Sequence, residues 1–364
     1  MMARSRGGKS FVDDSLVIVC EGSETESQYF QELCKAHPDY RVVPLKSEIL
    51  DRSQKRKRKV RARQMEDISA ARSLEWEYYP GVGEETEADY NRYKAEPTRW
   101  VRAAQLLMEK ERFYEAWAVY DLDQGREGAH PIAYSMRTGL LHIAFSAYSF
   151  EEWILLHFER NPKAFGRSEC ISSKVVKYKC GHAECSSNEN CNGDACLGGY
   201  IRKRGFISDY DKDKGRDYAQ LTIDRLHVAC VNAAWSRTLS NKAVYESNPY
   251  TDVDQLVMRL LEKKFDIHWV KETENFQLNG ENFTIVKEGG ECKLTYVGGK
   301  SMAVVPEAKI YWCNDEYKPQ TMIRAEDRIV FSKEESSMLL QNKPNDISVV
   351  CIKGRNGKEY YCEL

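Results

Sequence analysis

The stretch AWAVYDLD at residues 116–123 is an apolar run that ends in two acids, Asp121 and Asp123. A second run of the same kind, SLVIVC at residues 15–20, leads directly into Glu21. Short runs that are apolar throughout are typical of parallel strands buried on both faces. Because ligands bind at the carboxyl ends of such strands, the three acids are predicted to meet in one crevice. Like charges gathered there need a divalent cation to neutralise them, so the pattern predicts a magnesium site.

Strand and helix signals alternate through the first part of the chain. Strands are predicted at 15–20, 40–45, 115–120 and 140–145. Helices are predicted at 26–37, 97–112, 150–159, 216–237 and 252–265, with a short one opening at Pro131. This order predicts an α/β fold with a parallel sheet flanked by helices. Thr25 is the expected cap of the first helix, with Gln28 as its capping-box partner.

Three domains are expected from changes in residue composition and in predicted secondary structure along the chain. An α/β domain at 1–160 carries an insertion at 47–96, which is too long for an ordinary connecting loop. A mixed extension with a cysteine-containing loop covers 161–268. From 269 to 364, short β-like runs alternate with Asn-Gly and Gly-Gly turns, which predicts a small β-rich domain.

Composition excludes some classes of protein. The 364 residues carry a net charge of −2 with 30% charged side chains, so no global field attracts nucleic acid or a membrane. No apolar run reaches the length of a bilayer span, and the first residues lack the apolar stretch of a signal peptide. A cytoplasmic protein without membrane partners is therefore expected. Of twelve cysteines, five lie from Cys170 to Cys196, which in a reducing compartment favours metal ligation or free thiols over disulfides.

The cysteine-rich stretch offers soft ligands at short spacing. Two pairs, Cys180 with Cys185 and Cys191 with Cys196, can form a tetrahedral zinc site, with His182 as a substitute ligand. The spacing is not the Cys-x2-Cys doublet of most zinc sites. A flexible loop carrying free thiols is an equal alternative.

One short run concentrates positive charge in a chain that is otherwise near neutral. Seven of nine consecutive residues are basic: Lys55, Arg56, Lys57, Arg58, Lys59, Arg61 and Arg63. Each phosphate that such residues neutralise releases counterions, which gives strong affinity without sequence preference. We expect a flexible arm that grips RNA or DNA and is ordered on binding. A solvated loop and a nuclear-localisation signal are the alternatives.

A second basic stretch, GGYIRKRGF, follows the cysteines at residues 198–206. Arg202 and Arg204 can hold a nucleic-acid backbone while the neighbouring aromatic rings stack on a base. Lys203 can stabilise charge on a cleaved phosphate. A solvated basic turn is an equal alternative.

Four motifs occur in one order: CEGSETESQYF at 20–30, VYDLD at 119–123, SFEEWILLHF at 149–158 and NPYTDVD at 248–254. This combination resembles the RloB-like branch of Toprim proteins, which is found beside bacterial restriction and phage-defence loci. The resemblance covers residues 15–265 and implies a Toprim-like sheet. The basic insertion and the C-terminal β-rich domain depart from the family's minimal pattern.

The resemblance implies a metal-dependent nuclease, and phosphodiester cleavage with bound Mg²⁺ or Mn²⁺ matches the acids on chemical grounds. Asp121 and Asp123 are the expected metal ligands, and Glu21 is either a further ligand or the general base. Glu151 is expected to complete the site from its helix. Glu26 is expected to support the ligands from the first turn of helix one. His157 lies on another helical face from Glu151, so no catalytic role is expected for it.

Related defence Toprim effectors act on RNA, so the resemblance favours RNA, with tRNA as the leading candidate and DNA as an alternative. It also implies an anti-phage effector whose segment 269–364 binds a regulatory partner, and an oligomer is compatible with the sequence. The sequence GGKS at 298–301 lacks the first glycine of a phosphate-binding loop, so no ATPase activity is expected.

Each of these residues also has a purely structural interpretation. Asp121 and Asp123 can simply cap a loop, and Glu151 can face solvent, while Trp153, Leu155 and Leu156 are expected in the core. Two rival functions remain at this stage. One is a non-catalytic adaptor that binds nucleic acid and protein, and the other is a phosphotransfer enzyme acting on a small molecule.

Overall fold

The computed structural model describes residues 15–22, 24–44, 97–122, 128–168, 196–211, 214–288, 291–298, 302–306, 309–324, 328–332, 337–340, 349–354 and 357–363. The predicted insertion at 47–96 and the cysteines from Cys170 to Cys191 lie outside these ranges. Within them, no helix is long and apolar enough to cross a membrane. The chain packs as two compact units. Unit 1 comprises 1–155, 163–224 and 242–261, and unit 2 comprises 156–162, 225–241 and 262–364.

Unit 1 contains the alternating strands and helices that the sequence predicts. Its strands are β1 (Leu16–Cys20), β2 (Tyr40–Pro44), β3 (Glu115–Asp121), β4 (Leu141–Ala147) and β5 (Tyr250–Thr251). Its helices are α1 (Thr25–Leu33), α2 (Thr98–Glu111), α3 (His130–Ser135), α4 (Glu151–Leu156), α5 (Leu197–Lys203), α6 (Gly215–Thr222) and, after α7 of unit 2, α8 (Val253–Leu260).

The strands form one sheet in the order β2-β1-β3-β4-β5. The first four are parallel, and β5 pairs antiparallel with the end of β4. The predicted α/β class with a mostly parallel sheet is therefore confirmed. The connection from β1 leads to β2 on one side, whereas β3 leads to β4 on the other side. The crevice between the carboxyl ends of β1 and β3 is thus the point where the winding reverses, which is where sheets of this type bind ligands.

Both faces of the central strands are buried, as their apolar sequences require. Helix α2 packs against β1, β3 and β4. It covers a core that includes Val17, Val19, Ala118, Tyr120 and Phe145. Apolar residues occupy almost every position of β1 and β3. Burial of both faces is therefore favourable, because it removes apolar side chains from water on each side of the sheet.

Aromatic residues join helices α1 and α4 in unit 1. The rings of Tyr29, Phe30 and Phe150 meet edge to face at centroid distances of 5.3–5.7 Å. The indole nitrogen of Trp153 donates a hydrogen bond to the Tyr29 hydroxyl at 3.1 Å. Trp153, Leu155 and Leu156 are fully buried, so the prediction that they belong to the core is confirmed.

Helix α6 packs against α1, and a glycine makes their approach possible. A Cβ atom placed on Gly215 would lie 2.2 Å from the carbonyl oxygen of Thr25. Further along, Gln220 Nε2 donates to Glu32 Oε1 at 2.9 Å. The first residues of the two helices are thus in contact, and the helices lie side by side from there. These contacts join residues about 190 positions apart in the chain.

Local predictions differ from the structure at several points, of which three follow. The cap assigned to Thr25 is wrong, because Thr25 is the first helical residue and the cap is Glu24, which makes no side-chain cap bond. Helix α4 ends at Leu156 rather than at Glu159. Helix α5 covers most of the stretch for which a solvated basic turn was one of two alternatives. Its two glycines, Gly198 and Gly199, lower helix propensity but are buried, so packing outweighs that cost.

Unit 2 is β-rich, as predicted, and also contains α7 (Leu226–Ser236). Its strands are β6 (Asp266–Trp269), β7 (Thr273–Leu278), β8 (Glu281–Glu288), β9 (Glu291–Tyr296), β10 (Met302–Pro306), β11 (Lys309–Cys313), β12 (Pro319–Arg324), β13 (Arg328–Ser332), β14 (Ser337–Leu340), β15 (Val349–Lys353) and β16 (Lys358–Glu363). They form sheets of order β12-β11-β15-β16-β6 and β14-β9-β8-β7, with β10 and β13 as a separate pair.

The two larger sheets of unit 2 pack face to face. One core joins residues such as Phe283 and Leu294 of the four-stranded sheet to Ile310 and Ile352 of the five-stranded sheet. Cys292 and Cys362 form a disulfide between these sheets. The opposite face of the five-stranded sheet packs on residues of α7, so that strands such as β11 are apolar on both faces.

Candidate active site

Two of the predicted acids meet at the crevice between β1 and β3. The backbone N–H of Glu21 donates to the carbonyl oxygen of Val119 at 2.9 Å, which continues the strand pairing one residue beyond β1. The Oε2 atom of Glu21 accepts a hydrogen bond from the backbone N–H of Asp121 at 3.3 Å. Glu21 is buried and Asp121 is half-buried. We call these two carboxylates the acidic edge.

The chain that follows Asp121 is anchored to the neighbouring strand. The backbone N–H of Leu122 donates to the carbonyl oxygens of Ser146 at 3.0 Å and Tyr148 at 3.2 Å. Asp123, the third predicted ligand, lies outside the described residues. Among the residues that are described, no group of three or more His, Cys, Asp or Glu side chains is placed to hold a metal ion. The structure thus brings together two of the three predicted ligands.

Glu26 lies against the turn between β1 and α1. A Cβ atom on Gly22 would come within 2.5 Å of Glu26 Oε2, so glycine is needed for this carboxylate to cover the turn. Burial, and secondly the Glu26 charge, raise the pKa of the Cys20 thiol well above its ordinary value. Glu26 thus lies beside Cys20 and Gly22, and its role in supporting metal ligands remains a prediction.

Glu151 is buried at the start of α4 and is surrounded by hydroxyl groups. Its Oε2 atom accepts hydrogen bonds from Ser149 Oγ at 2.5 Å and Ser168 Oγ at 2.7 Å. Its Oε1 atom accepts one from Tyr210 Oη at 2.9 Å. The alternative in which Glu151 faces solvent is wrong, because only 2% of the residue is exposed. Three hydroxyl donors stabilise the ionised carboxylate and fix its orientation.

Comparison with known proteins identifies the family of the chain. The model of the RloB-like protein family matches residues 16–260, which is more than half of the chain. The chain belongs to the RloB-like family. No curated protein and no solved structure matches the chain.

Sequence reasoning missed the hydroxyl partners of Glu151 in this RloB-like protein. Ser168 and Tyr210 lie 17 and 59 positions from Glu151, and no local pattern indicates that they meet it. Tyr210 is held in turn by Tyr218, whose ring stacks on it at 4.9 Å. The only sequence signal is indirect: a buried glutamate requires donors, and hydroxyls in the segment after α4 are candidates.

The basic residues predicted near the site of the RloB-like chain lie at the end of α5. Arg202 is half-buried, and its Nη1 atom donates to the carbonyl oxygen of Tyr210 at 2.7 Å. Lys203 and Arg204 are exposed, and the Arg204 guanidinium lies 5.3 Å from the ring centroid of Phe206. Arg202 therefore braces the Glu151 partner Tyr210, while the two exposed cations are accessible to a ligand.

Other predicted sites of the RloB-like chain lie largely outside the described residues. This holds for the basic run from Lys55 to Arg63 and for four of the five candidate zinc ligands, Cys180, His182, Cys185 and Cys191. The fifth, Cys196, is buried immediately before α5. Zinc binding and nucleic-acid binding at these residues remain predictions.

Proposed function

We propose that this RloB-like protein is a Mg²⁺-dependent Toprim nuclease that cleaves phosphodiester bonds at the acidic edge. One observation carries the proposal: the Glu21 carboxylate is hydrogen-bonded to the Asp121 backbone at the point where the winding of the sheet reverses. The contact joins residues a hundred positions apart in the chain, at the place where α/β sheets bind ligands.

The residues at the acidic edge fit a hard divalent cation. Magnesium takes oxygen ligands, keeps several waters and is commonly held by one or two carboxylates. Glu21 and Asp121 offer such oxygens, and Asp123 follows two residues later in the chain. A bound Mg²⁺ supplies charge neutralisation on the scissile phosphate and lowers the pKa of an attacking water.

The protein's own groups have distinct roles in this proposal. The hydrogen bond from the Asp121 N–H fixes the orientation of the Glu21 carboxylate relative to β3. The three hydroxyls around Glu151 hold its carboxylate in one orientation at the start of α4. The exposed Lys203 is proposed to stabilise charge on the cleaved phosphate.

Nucleic acid is the proposed substrate because the run from Lys55 to Arg63 would grip a polyphosphate backbone, which a small-molecule phosphotransferase does not require. RNA, with tRNA as the leading candidate, and a role in bacterial anti-phage defence follow from the likeness to Toprim defence effectors. The β-rich unit 2 is proposed to bind a regulatory partner.

Incubation with total tRNA, ribosomal RNA and plasmid DNA tests the proposal, with Mg²⁺, Mn²⁺ or EDTA in parallel. We expect cleavage of one nucleic acid with a divalent cation and none with EDTA. Asp121→Asn should abolish cleavage. Asp39→Asn, which changes an exposed carboxylate elsewhere in unit 1, should leave it intact.

Two results would contradict the nuclease. One is an Asp121→Asn protein that cleaves as fast as the unaltered chain. The other is the absence of product with every substrate and cation, combined with tight binding of nucleic acid, which would favour the adaptor.

A further inference from the structure

A cavity of about 360 Å³ lies beside β4 in unit 1. Its walls come from β3, β4, the loop after α3 and the segment from β5 into α8. The lining residues are Trp117, Arg137, Thr138, His142, Ile143, Tyr250, Asp252 and Gln255. Its volume falls at the lower end of the range for small-molecule sites. Tyr250 and Asp252 belong to the motif at 248–254, to which the proposed chemistry gives no role.

The cavity opens on backbone at the edge of the sheet. The carbonyl oxygens of Leu140 and Ser146 accept bonds from β3, so the peptide groups of even-numbered residues in β4 face β3. The N–H and C=O groups of Ile143, an odd-numbered residue, therefore face away from β3 and toward the cavity. Strand β5 pairs only with Ser146 and Ala147. The wall thus presents one N–H donor and one C=O acceptor side by side.

Asp252 provides a fixed anionic acceptor in the wall. It is buried, and its backbone N–H donates to the Phe145 carbonyl at 2.9 Å. Its Oδ1 atom accepts from Tyr250 Oη at 2.6 Å, and its Oδ2 atom accepts from Tyr134 Oη at 3.5 Å. Gln255 Nε2 lies 3.4 Å from Oδ1. These contacts orient the carboxylate before any ligand arrives, which lowers the entropy lost on binding.

Arg137 and the ring pair of His142 and Trp117 complete the wall. The Arg137 guanidinium is exposed and lies 4.6 Å from the ring centroid of Tyr134. The rings of His142 and Trp117 are stacked at 4.6 Å. Burial, above all, lowers the pKa of His142 below its ordinary value, which favours the neutral ring. A flat neutral ring beside a cation and an anion suits a planar ligand with both donors and acceptors.

We propose that this cavity binds a guanine base. Guanine offers a carboxylate two adjacent donors, N1–H and the N2 amino group, which match Asp252. Its O6 and N7 atoms are acceptors that an arginine recognises, which matches Arg137. The edge peptide of Ile143 supplies one further donor and acceptor, and the His142 ring provides a stacking surface. Adenine has no second donor beside its amino group, so it fits Asp252 less well.

The base can come from a free guanine nucleotide or from a nucleic-acid strand. Trp117 and Asp121 are four residues apart on β3, which corresponds to about 13 Å along the strand. That separation lets a strand whose base occupies the cavity extend toward the acidic edge. Base binding itself does not depend on the proposed cleavage.

Calorimetric titration of the full chain in EDTA measures binding without metal-dependent cleavage. The probes are GMP, AMP and single-stranded RNA pentamers that carry one central guanine or adenine among uracils. We expect the guanine ligand to bind at least about tenfold more tightly than its adenine counterpart. Binding of GMP indicates a free nucleotide as the source. Binding of the guanine pentamer alone indicates a strand.

Variants connect this preference to the cavity. Asp252→Asn should remove most of the preference for guanine over adenine. Arg137→Gln alters an exposed side chain and should lower guanine affinity about tenfold without affecting folding. Arg216→Gln, an exposed arginine on α6, serves as the matched control and should have no effect. Equal binding of guanine and adenine ligands, no binding of either, or full affinity in Arg137→Gln would overturn the proposal.

Discussion

Buried carboxylates have different hydrogen-bond donors in unit 1 and in unit 2. In unit 2, Glu359 is 3% exposed and accepts hydrogen bonds from Tyr361 Oη at 2.7 Å and His227 Nε2 at 2.8 Å, and from the Lys353 ammonium. In unit 1, Glu151 is held by three neutral hydroxyls, and Glu21 accepts a backbone N–H.

The difference lies in the charge of the groups that donate to each carboxylate. Burial by itself raises the pKa of Glu359, but donation from His227, Lys353 and Tyr361 outweighs it and lowers the pKa to about 2. Its charge is neutralised inside the unit. Neutral donors orient a carboxylate without cancelling its charge, so the charge remains available to attract a cation. Unit 1 also contains a carboxylate that is paired with a cation: Glu115 accepts a hydrogen bond from Arg259 Nε at 2.8 Å.

The largest expected effect concerns the acidic edge. Glu21→Gln and Asp121→Asn each replace a proposed metal-binding carboxylate by a neutral group of the same shape. Single-turnover cleavage at saturating Mg²⁺ should fall at least about 100-fold. Glu359→Gln should leave the rate unchanged. If Glu359→Gln lowered the cleavage rate as much as Glu21→Gln or Asp121→Asn, the acids of the two units would not differ in function.

A steric change in unit 1 should have the next largest effect. Gly215→Ala places a methyl group 2.2 Å from the Thr25 carbonyl oxygen, so α1 and α6 must separate. We expect a loss of about 3 kcal/mol in unfolding free energy. Faster hydrogen exchange in peptides from α1 and α6 would report it. Gly139→Ala, where a Cβ meets nothing within 4 Å, is the matched control.

Acid should weaken unit 2 through Glu359. Because its folded pKa of about 2 lies below the ordinary 4.5, its contribution to stability is complete above about pH 5. That contribution declines as pH falls through 4.5 and is lost near pH 2. Glu359→Gln should cost about 2 kcal/mol at pH 7 and flatten this part of the pH profile. Thermal unfolding from pH 2 to pH 7 measures both, and a variant as acid-sensitive as the unaltered chain would argue against this origin.

An exposed ion pair should matter least. Arg41 and Glu111 form a salt bridge in unit 1 whose side chains are 51% and 44% exposed. Arg41→Gln should change the unfolding free energy by less than about 0.5 kcal/mol, because water screens both charges. Denaturant titration is a sufficient measurement. A loss comparable to that of Glu359→Gln would show that burial does not determine the strength of these pairs.

The parts of the fold that sequence predicts well are those with a local cause. Strands β1 and β3 are apolar at consecutive positions, and the acids that follow them were placed at one edge because parallel strands share a direction. The pairing of Glu21 with Asp121 therefore followed from the strand ends alone.

The parts that sequence did not predict depend on distant residues. The hydroxyls of Ser168 and Tyr210 reach Glu151 only after the chain folds back, and α5 forms because its glycines are buried by packing. The cavity beside β4 joins residues from three separate segments, so no single motif contains it.

The pairing of β5 with β4 bears on how the protein is made. Thr251 joins the sheet opposite Ser146, so about a hundred further residues must leave the ribosome before that edge is closed. Until then, β4 presents free peptide groups of the kind that pair with other chains. A chain truncated at Ser247 should therefore aggregate more readily than the complete one, which sedimentation of the translation products can establish.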